Sequence, residues 1–204
     1  MATLGFYHGF IHRAIKEMDI QHEDNILDLG CGTGRNACIM AKYLSDHGNI
    51  TGMDISPVME KQFRKKCAKH QNVDFLRQRI DLPFDLSERF DKILISFVIH
   101  GFPHEVRLAV LKNVYKHLKP GGAFFMLDYA EFDMNAMPLL HRLIFKKIEC
   151  QYAFDFIERD WKQILANHHF NGFEEFFFVK SYIRLLKAQK ENYSQSFGTS
   201  EERV

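Results

Sequence analysis

The stretch ILDLGCGTGRN, residues 26–36, decides the fold. An apolar run breaks into a loop with glycine at alternate positions, Gly30, Gly32 and Gly34, and a helical pattern follows. A short apolar strand, a glycine loop and a helix form the unit from which parallel α/β sheets are assembled. Glycine permits positive φ and removes the Cβ that bars close approach. The helix N-terminus beyond it offers free N–H groups and the positive end of a dipole. The loop therefore suits a phosphate, a ribose or a carboxylate.

Working outward, strand-like and helix-like segments alternate. A helical stripe (Phe10, Ile11, Ala14, Ile15, Met18) precedes the strand Asn25 to Leu29. A helix is predicted from about Gly34 to Asp46, with Ala37, Met40, Ala41 and Leu44 inward. A second strand, Ile50 to Asp54, leads to Ser56 as N-cap and Pro57 at the first helical position, in a helix running to about His70. Strands follow at Val73 to Leu76 and Lys92 to Val98, then a helix at Pro103 to His117, a KPGG turn and a strand at Ala123 to Asp128. After helices near 136–149 and 159–168, FEEFFFV and YIRLLKA pair as an antiparallel hairpin. The aromatics on both faces of FEEFFFV suggest a central strand covered on both sides. The fold class is α/β: a Rossmann-like, doubly wound, mostly parallel sheet with an antiparallel C-terminal hairpin. One domain spans 1–189, and a polar, fraying tail spans 190–204.

Composition narrows the function. With 27 basic and 26 acidic side chains the net charge is +1, so no overall basic field draws nucleic acid or an anionic membrane. The start lacks a signal-peptide core, and the longest apolar run is too short for stable membrane insertion. Cys31, Cys38, Cys67 and Cys150 form neither a metal knuckle nor a dense disulfide framework, and are expected as reduced thiols of a cytoplasmic protein. No metal is predicted, His168 and His169 in NHHF included.

The glycine spacing chooses among ligands. A phosphate loop needs Gly-Lys-Ser/Thr, whereas Gly34 precedes Arg35-Asn36. The dinucleotide fingerprint is Gly-x-Gly-x-x-Gly, and here the spacing is Gly-x-Gly-x-Gly. Asp28 stands just before the loop, and Asp54 ends the second strand where a carboxylate can accept from two vicinal ribose hydroxyls.

Over residues 25–187 the chain resembles the class I S-adenosylmethionine-dependent methyltransferases. The motifs are LDLGCGTG, GMDISPVM, LPF with RFDKILIS, and LKPGGAFFMLD. Within them it is most similar to the ubiquinone and menaquinone biosynthesis methyltransferases, whose Gly-x-His-Arg-x-Trp segment GFIHRAIKEM resembles, without the Trp. The resemblance implies S-adenosylmethionine as cofactor and S-adenosylhomocysteine as product. It implies that Asp28, Gly30, Cys31, Gly32 and Gly34 cradle the methionine part, that Asp54 holds the ribose, and that Ile55 and Met59 pack against adenine. Arg79, Ile80 and Phe97 complete the cofactor set. Where the family has Gly-Asp-Ala before LPF, this chain reads RQRIDLPF, and Arg79 cannot accept from the adenine amino group, leaving Asp81 or a backbone carbonyl. After the fourth strand, Val98-Ile99-His100-Gly101 replaces the quinone enzymes' Gly-Ile/Leu-Arg-Asn.

His100, at the end of the fourth strand, is the candidate catalytic base, the other reading being a histidine that only shapes the pocket. His104 is expected on the surface. The amphipathic segment 134–147, with Leu139, Leu140, Leu143 and Ile144 as its stripe, forms a pocket lid, or packs in the core or a homodimer interface, or touches a membrane. Tyr7 and His8 are placed to close over the cofactor. The expected partner is a small-molecule methyl acceptor. The alternatives are a non-catalytic S-adenosylmethionine-binding regulatory protein, a methyltransferase acting on protein or RNA, and a nicotinamide-dependent oxidoreductase.

Overall fold

The computed structural model describes residues 4–192. A seven-stranded sheet carries the order β3-β2-β1-β4-β5-β7-β6. Its strands are β1 (Asn25–Leu29), β2 (Asn49–Asp54), β3 (Val73–Arg77), β4 (Phe90–Ser96), β5 (Leu118–Tyr129), β6 (Phe170–Phe178) and β7 (Ile183–Lys190). The first five are parallel; β7 runs antiparallel to β5, and β6 antiparallel to β7. Strand order reverses between β1 and β4, which opens a crevice at their carboxyl ends.

The helices are α1 (Leu4–Lys16), α2 (Arg35–Met40), α3 (Pro57–Cys67), α4 (His104–His117), α5 (Leu139–Ile148), α6 (Gln151–Ile157) and α7 (Trp161–Ala166). Each face of the sheet has its own core. On one, Ile11, Ile15, Ala37, Met40 and Phe63 of α1–α3 meet Ile26, Ile50 and Leu94. On the other, Val110, Leu111, Phe156 and Trp161 of α4, α6 and α7 meet Leu27, Leu29, Ile93 and Ile95. Side chains alternate across a strand, so Asp28 shares the α1–α3 face with Ile26.

Local chemistry sets several boundaries. Ser56 caps α3, its Oγ accepting from the Met59 amide at 3.3 Å, with Pro57 at the first helical position. Helix α2 is shorter than its pattern suggests and ends at Met40, although Ala37, Met40 and Ala41 are buried as expected. The KPGG turn lies inside β5: the pairing jumps from Phe90–Leu118 to Lys92–Ala123, so the turn is a bulge in a longer strand.

Three expectations are corrected. FEEFFFV lies in β6, the sheet's edge strand, with Phe177 49% exposed, because β7 and not β6 lies against β5. Of the readings for 134–147 only packing of the stripe in the core is excluded: Leu139, Leu140 and Leu143 of α5 are exposed, while Phe145 turns inward. The cysteines are not all free thiols: Cys38 and Cys67 form a disulfide, with Cα atoms 5.7 Å apart. Adjacent packing of α2 and α3 brings together residues 29 apart in sequence. Cys31 and Cys150 are free. Most of the tail, and the side chains of Tyr7 and His8, lie outside the described part of the chain.

Candidate functional site

The glycine loop is pinned by the end of β2. The amides of Gly30 and Cys31 both donate to the Met53 carbonyl, at 2.8 and 3.1 Å. Asp54 accepts from the Gly32 amide through Oδ2 at 3.0 Å and from the Ser56 amide through Oδ1 at 2.9 Å. Each carboxylate oxygen has a second lone pair, so Asp54 fixes the loop and can still accept two hydroxyls. Two glycines show opposite constraints. At Gly34, with φ +77°, a Cβ would stand 2.6 Å from the Phe63 ring. At Gly32, with φ +52°, a Cβ would meet nothing within 4 Å, so its small size leaves open space above the loop.

Asp28 is fully buried, and neither of its carboxylate oxygens has a hydrogen-bond partner. Burial, and then the charge of Asp54, push its pKa up to about 7. The buried Ser96 Oγ, near the end of the adjacent β4, is likewise without a partner. Buried polar groups are ordinarily satisfied, so the unmatched carboxylate beneath a glycine loop calls for a donor from outside the chain. An ammonium at that loop and a ribose at Asp54 fit this arrangement, as the S-adenosylmethionine expectation requires. Burial, with Asp28 and Asp54 adding to it, raises the Cys31 thiol's pKa strongly, so Cys31 stays a neutral thiol in the loop.

Of the residues expected to flank adenine, Ile55 is 60% exposed and Met59 is half-buried, which leaves an apolar surface open to a flat ring. Arg79 is bound by Asp81 through two nitrogens. The Ile80 side chain is buried in the core beside α4, and its carbonyl accepts from Asn113 Nδ2 at 3.0 Å.

The crevice's other end is built on β4 and β5. Phe97, with φ +55°, follows β4, and its ring meets Phe10 at 6.1 Å and Tyr129 at 6.4 Å. His100 sits in the 3-10 turn Ile99–Gly101. Its Nδ1 donates to Asp128 Oδ1 at 2.7 Å, and its Nε2 lies 3.6 Å from Glu149 Oε2. Tyr129 Oη donates to the other oxygen of Glu149 at 2.6 Å. Burial pulls the imidazole's pKa down, but the hydrogen bond and charge of Asp128, with the charge of Glu149, outweigh it, and the net shift is upward. Beneath the turn, the fully buried Arg107 donates to the carbonyls of Ile99, His100 and Tyr152 and to Asp155. The sequence signals His100 by its place after a strand. Asp128, Glu149, Tyr129 and Arg107 carry no comparable signal, because only the packing of β5, α4 and α6 brings them to it. His104 is half-buried rather than a surface residue. Among the described residues no group of three His, Cys, Asp or Glu is placed to hold a metal.

Residues 26–122 match the family described as the methyltransferase domain. Demethylmenaquinone methyltransferase of Staphylococcus aureus is 30% identical over 135 residues, 66% of this chain and 55% of that protein. The chain thus spans about half the length of this relative. Among solved structures, a SAM-dependent methyltransferase from Aquifex aeolicus superposes with TM-score 0.63 at 17% identity, over 88% of each chain. The N-methyltransferase NodS from Bradyrhizobium japonicum, in complex with S-adenosyl-L-homocysteine, superposes with TM-score 0.64 at 12% identity, over 91% of this chain and 87% of its own.

Proposed function

We propose that this chain, which carries a class I S-adenosylmethionine-dependent methyltransferase domain, methylates a small-molecule acceptor that presents its nucleophile to His100. The observation that carries the reading is Asp28: a fully buried carboxylate with no partner, under a glycine loop held by Asp54. When bound, S-adenosylmethionine supplies an electrophilic methyl group on a sulfonium. Asp28 would hold its ammonium end beneath the glycine loop, Asp54 its ribose, and Ile55 with Met59 its adenine. Displacement at such a carbon needs alignment and exclusion of water, worth roughly 7–11 kcal/mol in well-oriented systems. His100, oriented by Asp128, supplies a base for an acceptor that must lose a proton.

The likeness to demethylmenaquinone methyltransferase makes a hydroxylated ring of the quinol type the first acceptor to try. The half-buried rings of Tyr129, beside His100, and of Phe97, beside Tyr129, favour a flat apolar body. No helix among the described residues is long and apolar enough to cross a membrane. The test is calorimetric titration with S-adenosylmethionine and S-adenosylhomocysteine, followed by transfer of labelled methyl to hydroquinones and phenols. Micromolar binding and transfer are expected. Absence of binding would overturn the reading, and binding without transfer to any acceptor would favour a cofactor-sensing protein.

A further inference from the structure

Glu149 closes the one face of His100 that a base would use. With Nδ1 committed to Asp128, only Nε2 can take a proton, and Glu149 Oε2 stands 3.6 Å from it. Glu149 does not reach that place by chance of rotamer. It follows α5 directly, its amide bonded to the Phe145 carbonyl, and its Oε1 is held by Tyr129. The helix that delivers it turns Leu139, Leu140 and Leu143 to solvent and is anchored through Phe145, whose ring meets Tyr129 at 5.1 Å.

We propose that Glu149 is the gate and positioning residue of the acceptor site: it covers Nε2 of His100 at rest, and an acceptor bearing an ionisable proton takes its place. The inference rests on the methyl-transfer reading of the site. At rest the imidazole lies between two carboxylates, an arrangement suited to the imidazolium and not to a base. When Glu149 leaves, the Nε2 proton goes with its carboxylate to solvent, and His100 becomes neutral. The acceptor's own X–H bond then breaks, its electron pair stays on the acceptor atom, and the proton ends on Nε2. Among the described residues, the charged or titratable groups that face the imidazole are Asp128 and Tyr129 of β5, Glu149, and Arg107 of α4. Arg107 is fully buried and gives four of its N–H groups to three carbonyls and Asp155, so it offers no donor to an anionic acceptor. The gate therefore admits an uncharged, proton-bearing nucleophile, with a phenolic hydroxyl the best match to the aromatic surroundings.

The test needs no acceptor. Selectively labelled imidazole carbons report the titration of His100 by NMR in the wild type, Glu149→Gln, Tyr129→Phe and Asp128→Asn. Diethyl pyrocarbonate, mapped by mass spectrometry, reports access to neutral Nε2. Glu149→Gln keeps the shape and an acceptor for Tyr129 while removing the charge, and the His100 midpoint should move to lower pH. Tyr129→Phe keeps the charge but releases it, and should move the midpoint the same way by less. Carbethoxylation of His100 near neutral pH should accelerate several-fold in both. An unchanged midpoint and unchanged reactivity in both variants would overturn the gate. Titration with S-adenosylhomocysteine on the same proteins serves as the fold control. Normal binding with an unmoved midpoint sinks only the gate, whereas no binding by the wild type sinks the methyl-transfer reading instead.

Discussion

Oδ2 of Asp54 accepts the Gly32 amide at 3.0 Å, so the acid at the end of β2 also tethers the loop that follows β1. Asp54→Ala removes the proposed ribose acceptor and the tether together. Hydrogen bonds to charged groups contribute about 1.5–3 kcal/mol, and the expected loss is therefore roughly 10- to 150-fold in affinity for S-adenosylhomocysteine, read by calorimetry. Affinity unchanged within twofold would remove Asp54 from the site.

Asp28 should make the ligand-free protein less stable as pH rises. Its folded pKa, about 7, lies above the ordinary 3.8, so between these values the folded state holds a proton that the unfolded chain has lost. Stability falls across that window, by about 4 kcal/mol in full. Asp28→Asn, which cannot ionise, should raise Tm at pH 8 and leave it nearly unchanged at pH 4, while weakening cofactor binding. Binding near pH 6.5 should also release a proton, visible as a dependence of calorimetric heat on buffer ionisation enthalpy.

The two glycines separate folding from binding. Gly34→Ala meets Phe63 in a left-handed backbone and should cost about 2–4 kcal/mol of stability. Gly32→Ala meets no neighbour and should cost only about 1–2 kcal/mol for the conformation, yet abolish cofactor binding by filling the space above the loop. Thermal melts with and without S-adenosylhomocysteine distinguish the two outcomes.

The Cys38–Cys67 bond joins the helices after β1 and β2, and Cys67 Sγ also contacts the Gly34 carbonyl at 3.4 Å. For the loop it closes, the chain-entropy estimate is about 3–4 kcal/mol. Reduction, or Cys38→Ser with Cys67→Ser, should lower Tm by several degrees. Unaltered melting in reductant, with two thiols gained per chain, would refute this.

Most of the strand order's consequences were legible before the structure, because each parallel strand is a short apolar run ending in a turn or a cap. Asn25–Leu29, the Ser56 cap and the Gly30–Gly34 loop are local patterns, and they stand where the pattern puts them. What could not be read depends on which elements become neighbours. FEEFFFV looks like a covered strand, but it is an edge because β7 inserts between it and β5. The Cys38–Cys67 bond follows from α2 packing on α3, and the partners of His100 come from β5 and the α5–α6 junction. None of these pairings leaves a periodic trace in the chain.

The position of β6 at the rim bears on how the protein behaves in a crowded solution. An outermost strand presents unpaired backbone groups that another chain can extend. Here the middle of that strand is charged: Glu174 pairs with Lys187, and Glu175 with Lys162 and Arg184. These acids give colloidal protection, guarding a rim on which Phe177 lies bare. Replacing the exposed charges of this rim together, Glu174, Glu175, Lys162 and Lys187 each by Gln, should leave the aromatic rim unguarded and start edge-to-edge stacking of molecules, seen as light scattering before the sheet itself melts.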